Sequence, residues 1–112
     1  MVGLIVRKRK LGKPIYKVLT LRVKDTEPGH FNREMFGWYH KKRHACKAIE
    51  YNVYDMTDGR IFNYACVLKS YQGAYGLNDE EVAWYMWLDG KECWIPIPML
   101  SRPSALDGWK LN

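Results

Sequence analysis

No apolar run in this chain approaches the ~20 residues that a helix needs to cross a bilayer. The N-terminal apolar stretch, Met1 to Val6, precedes its basic residues. A secretory signal peptide has the opposite order and a longer apolar region. The second residue is Val rather than Gly and the last two are Leu-Asn, so no lipid anchor is indicated. Cysteine is scarce: Cys46, Cys66 and Cys93 are odd in number and lack metal-type spacing. They read as reduced thiols of a cytoplasmic protein.

Catalytic signatures are missing as well. There is no phosphate-cradling glycine loop and no nucleophile elbow. Asp79, Glu80 and Glu81 read as the solvated start of a strand. An acid–base pair would have to join His30 or His44 to Glu34 or Glu50. His40 and His44 would share a helix face near Cys46, but Lys41, Lys42 and Arg43 lie between them and would repel a cation. The expectation is a protein that is not an enzyme and has no metal and no cofactor. No low-complexity tract, internal repeat or linker divides the chain, so residues 1–112 are expected to form a single domain.

What is present is uneven positive charge. Of 112 residues, 47% are apolar and 27% charged, as in globular proteins. Residues 1–60 hold fourteen Lys and Arg against six Asp and Glu; residues 61–112 hold four against six. The whole chain carries +6. The excess falls in two clusters, Arg7, Lys8, Arg9 and Lys10 with Lys13, and His40 to His44.

Periodicity places these clusters. Ile15, Leu19, Leu21 and Val23 alternate with Tyr16, Val18, Thr20, Arg22 and Lys24, the pattern of a strand. Gly12 and Pro14 suggest a hairpin turn before it, with a partner strand in residues 1–11. Phe31, Met35, Trp38, Tyr39, Ala45 and Ile49 recur at helical spacings, weakened by Gly37. The firmer part, His40 to Glu50, is expected to be a helix. Ile49, Tyr51 and Val53 alternate with Glu50, Asn52 and Tyr54 and suggest a second hairpin turning at Thr57-Asp58-Gly59-Arg60. Its return strand, Ile61 to Leu68, is apolar enough to be central. A third hairpin pairs Val82 to Leu88 with Cys93 to Ile95 across Asp89-Gly90. Pro96 and Pro98 make its second strand an edge. The C-terminal segment from Ser101 reads as irregular, pinned by Trp109.

The segment Trp84-Tyr85-Met86-Trp87-Leu88-Asp89-Gly90-Lys91-Glu92-Cys93-Trp94-Ile95-Pro96 resembles the distal hairpin of an SH3 domain. It has paired aromatics, a glycine turn and an Ile-Pro exit. The resemblance covers about a tenth of the chain and implies a small-barrel packing. That family's aromatic-acidic opening motif is missing upstream, so its peptide-binding activity is not carried over. The expected fold is α+β: an antiparallel sheet of about six strands in three hairpins with one short helix. A mostly-β small barrel is the alternative.

Two sites follow. Arg7, Lys8, Arg9, Lys10 and Lys13 on a hairpin, with Trp38, Tyr39, Lys41, Lys42 and Arg43, combine cations with rings. Single-stranded nucleic acid is held that way, with bases on rings and phosphates on cations. Tyr85, Trp87 and Trp109 would be protein-interaction residues if their rings are exposed. The leading expectation is a small non-enzymatic nucleic-acid-binding protein. The alternative is a viral or phage-type accessory protein that inhibits a host protein by docking on its acidic face.

Overall fold

The computed structural model describes residues 13–55, 62–71, 79–109 and 111. Five strands form one antiparallel sheet: β1 (Pro14–Val23), β2 (Phe31–Tyr39), β3 (Tyr64–Tyr71), β4 (Glu80–Leu88) and β5 (Cys93–Ile97). Their order is β2-β1-β3-β4-β5. Among the described residues one α-helix, α1 (Lys42–Glu50), lies between β2 and β3 in the chain. The α+β expectation holds, with five strands among the described residues where about six were expected in the chain. The sheet is open, with β2 and β5 at its edges, so the small-barrel alternative is overturned.

β1 pairs antiparallel with both β2 and β3, which therefore run parallel to each other on its two sides. Parallel strands need a crossover connection, and α1 supplies it. Both edges of β1 are thus occupied within the sheet. Its hairpin partner is β2, across the loop at residues 24–30, in place of the strand expected upstream. The expected strand at residues 1–11 and the turn at Thr57 to Arg60 lie outside the described residues.

Residues 31–39 correct the helical reading of their spacing. β2 is an edge strand, and its register shifts between Val18↔Gly37 and Leu19↔Met35. Phe36 is the extra residue of that β-bulge. α1 begins two residues later than expected, and it ends where a strand was expected. Asn52 takes φ 48°, and its N–H donates to the Ile49 carbonyl while Val53 N–H donates to the Ala48 carbonyl. This pair of bonds closes the last helical turn around a left-handed residue. Residues 51–54 are consequently a turn.

Both faces of the sheet are covered. On one face Ala45, Ala48 and Ile49 of α1 bury against Val18, Ala65, Val67, Tyr85 and Trp94. On the other, Leu106 and Leu111 of the C-terminal segment bury against Leu19, Leu21, Cys66, Leu68 and Trp84. The alternation in β1 therefore sorts residues between two cores. β3 is central as its apolar run implies, and β5, with Pro96, is an edge.

The C-terminal segment is anchored by charge. The Arg102 guanidinium donates from Nε to Glu81 Oε1 (2.7 Å) and from Nη2 to Glu81 Oε2 (2.9 Å). It also donates to the carbonyls of Leu106 and Trp109. Glu81 Oε1 accepts a further bond from Trp84 Nε1 at 3.0 Å. Glu81 is therefore structural rather than a solvated strand start.

Candidate nucleic-acid interface

Strand register brings Lys13 and the second basic cluster to one end of the sheet. Tyr16 stands opposite Tyr39, so the chain enters β1 where it leaves β2. Lys13, His40, Lys41, Lys42, Arg43 and His44 are all exposed. Among the described residues, none of the cations from Lys41 to Arg43 forms an ion pair. Arg7, Lys8, Arg9 and Lys10 lie outside the described residues.

Trp38 sits beside this corner with half of its surface exposed (51%). The His40 ring meets it edge to face, with centroids 5.2 Å apart. The neighbouring register position on the same face is Lys17. That ammonium lies 2.8 Å from Asp79 Oδ2. The Asp79 side chain is almost fully buried, and the Lys17 ammonium is its charge partner. Lys17 is thus committed to the fold, while Lys41 to Arg43 are not.

The helix start adds to the positive potential. Lys41 is the N-cap residue, no side chain caps the helix, and its first turn holds no acidic residue. The first N–H groups of a helix have no intrahelical acceptors and carry the positive end of its dipole. Cations there repel that end, and an anion would offset both charges.

Two expected rings belong to the core. Tyr39 is half-buried on the α1 face, and its hydroxyl shares a hydrogen bond with that of Tyr54. Burial, together with the Tyr39 hydroxyl, pushes the Tyr54 phenol up to about 12. Tyr85 is buried beneath α1 and donates from its hydroxyl to Glu50 Oε2 at 2.8 Å. Burial raises its phenol, and the Cys46 and Glu50 side chains raise it further. Tyr85 therefore offers no surface for a partner, and the Tyr39 ring is only partly open to stacking. The reason is the same for both: α1 covers the face on which they lie.

Trp87 is half-buried, stacked edge to face on Trp94 (5.3 Å) and bonded through Nε1 to Asp89. Trp109 is half-exposed and packs edge to face on Phe31, near the opposite end of β2 from the cationic corner. His30 pairs with Asp25 at 3.1 Å rather than with Glu34 or Glu50. Among the described residues, no group of three or more His, Cys, Asp and Glu is arranged to hold a metal ion. No described helix is long and apolar enough to cross a membrane. A third gathering of basic residues, Arg22, Lys24 and His30, lines one pocket. They are scattered in sequence, and only the β1–β2 register brings them together.

No protein-family model, curated protein or solved structure matches this chain.

Proposed function

We propose that this is a small, non-enzymatic, cytoplasmic protein that binds nucleic acid, preferably single-stranded, at the corner formed by Trp38, His40 and Lys41 to His44. The observation that carries this reading is the exposed Trp38 ring, in contact with His40 and a few residues before unpaired cations at an uncapped helix start. A base stacks on Trp38 while phosphates meet Lys41, Lys42, Arg43 and the first helical N–H groups. Lys13 extends the charge at the same end of the sheet, and Arg7 to Lys10 precede it in the chain. Phosphate contacts dominate, so binding depends weakly on sequence and steeply on salt.

The test is the affinity for a fluorescent single-stranded oligonucleotide as salt is varied. Lys42→Ala and Arg43→Ala should each reduce the slope of log K against log salt by about one. Trp38→Ala should weaken binding by ~1–3 kcal/mol with the slope unchanged. Absence of binding at low salt, or binding insensitive to salt, would sink the reading.

The second reading is a viral or phage-type accessory protein that docks on an acidic face of a host protein. Half-exposed Trp109, remote from the cationic corner, favours it. A pull-down with and without nuclease separates the two readings. One stoichiometric protein that persists after nuclease supports the second, whereas partners that vanish support the first.

A further inference from the structure

The cations at the far end of the β1–β2 hairpin form a pocket of their own. Arg22 stands opposite Asn32 in the register. Lys24 follows the end of β1 and His30 precedes the start of β2. These four side chains, with Gly29 and Phe31, line a concavity of about 250 Å³. No carboxylate lines it. Among the described residues Arg22 forms no ion pair. Gly29 holds the loop in place: its φ is 86°, and its N–H donates to the Ala105 carbonyl at 2.8 Å.

His30 is prepared to be a cation. Its Nδ1 is bonded to Asp25 Oδ2, and that carboxylate raises the imidazole from its ordinary value. Glu27 acts in the same direction, and Lys24 opposes it. Asp25 is itself occupied, since its Oδ1 accepts the Glu27 N–H at 2.9 Å. With Nδ1 turned to Asp25, Nε2 is the ring nitrogen open to a ligand, and it donates when the imidazole is protonated. The lining thus offers a guanidinium, an ammonium, an imidazole and a carboxamide, all of them donors.

We infer that this pocket binds the phosphate group of a phosphomonoester, gripped by Arg22, Lys24 and His30 and oriented by Asn32. Two fixed cations and an imidazole that can protonate suit a dianion better than the single charge of a phosphodiester, and a phosphomonoester approaches −2 at neutral pH. A planar guanidinium adds a two-pronged contact to phosphate oxygens. The group could come from a free small molecule or from the end of a nucleic-acid strand. The inference does not depend on the function proposed for the Trp38 corner.

The experiment is an amide NMR titration of the full-length protein with inorganic phosphate at constant ionic strength. Saturable shifts are expected at Arg22, His30 and Asn32. Arg22→Gln and Lys24→Gln should each weaken the response at least ~5-fold with the spectrum otherwise retained, and Lys42→Ala should leave it intact. Two parallel titrations use one short single-stranded oligonucleotide with a 5′-phosphate or a 5′-hydroxyl. A phosphate-dependent gain in affinity that Arg22→Gln removes identifies a strand end; equal affinity with saturable inorganic phosphate identifies a free monoester. Non-saturable shifts, or equal responses from wild type and Arg22→Gln, would overturn the pocket. Oligonucleotide binding through Lys42 that survives such a result leaves the Trp38 corner standing.

Discussion

Gly37 shows how one residue sets the geometry near the candidate interface. It lies one position before Trp38 on β2, and the Tyr54 ring crosses directly over it. A Cβ at Gly37 would overlap the Tyr54 hydroxyl, closer than real Cβ contacts allow. That hydroxyl is also the Tyr39 partner, so it has little freedom to retreat. Gly37→Ala should therefore destabilise the protein by ~1–3 kcal/mol, the usual cost of overpacking. Chemical denaturation should show a lower midpoint with an unchanged m-value. Adding Tyr54→Phe removes the overlapping oxygen and should recover part of the loss. If Gly37→Ala alone is neutral, Tyr54 does not pack there. In the sequence Gly37 reads only as a weakness in a helix. Its role depends on a ring seventeen positions away, and no local pattern carries that.

At the scale of elements, α1 and β2 differ in how legible they are. The α1 stripe of Ala45, Ala48 and Ile49 is regular, so the helix is readable to within two residues at its start. In β2 the Phe36 bulge interrupts the alternation, so Met35 and Trp38 keep to one face although three positions apart. A strand with a bulge then imitates helical spacing. Beyond α1, Asn52 completes an alternating pattern in the sequence, yet it serves as the left-handed residue that ends the helix. Cations at the helix start are visible from sequence, but their exposure is not, because it depends on the absence of a capping carboxylate. This arrangement predicts a trade between stability and binding. Lys41→Ser would supply the missing cap and remove one cation. It should stabilise the fold by ~0.5–2 kcal/mol and lower the salt slope of oligonucleotide binding by about one. Thermal denaturation and the salt titration measure the two effects. A variant that is no more stable would mean that the helix start already has a partner.

Across the whole molecule, the charge asymmetry reflects how the carboxylates are employed. Glu81 holds Arg102, Asp79 neutralises Lys17, Glu50 accepts from Tyr85 and Asp89 accepts from Trp87. Asp79, Glu81 and Asp89 of the acidic half are thus engaged by other side chains, as is Glu50 of the basic half, while Lys41 to Arg43 remain unpaired. Ring burial follows the same logic. Trp84 and Tyr85 are adjacent in β4 and both are buried, because α1 covers one face and the C-terminal segment the other. Sequence alternation separates the faces but does not say what lies on each, which is why Tyr85 reads as an interaction residue only on the condition that its face is open. The covering of the second face rests on Arg102. Its side chain and that of Glu81 keep 23% and 19% exposure, so the pair is mostly shielded from solvent. Arg102→Ala should cost ~1–3 kcal/mol, below the ~3–5 kcal/mol of a fully buried pair. It should also loosen Leu106 and Leu111 from the sheet, speeding hydrogen exchange in β4 more than in β2. Arg102→Lys retains the charge but not the two-pronged contact, and it should fall between wild type and Ala. Wild-type stability in Arg102→Ala would mean that Leu106 and Leu111 hold the segment without it.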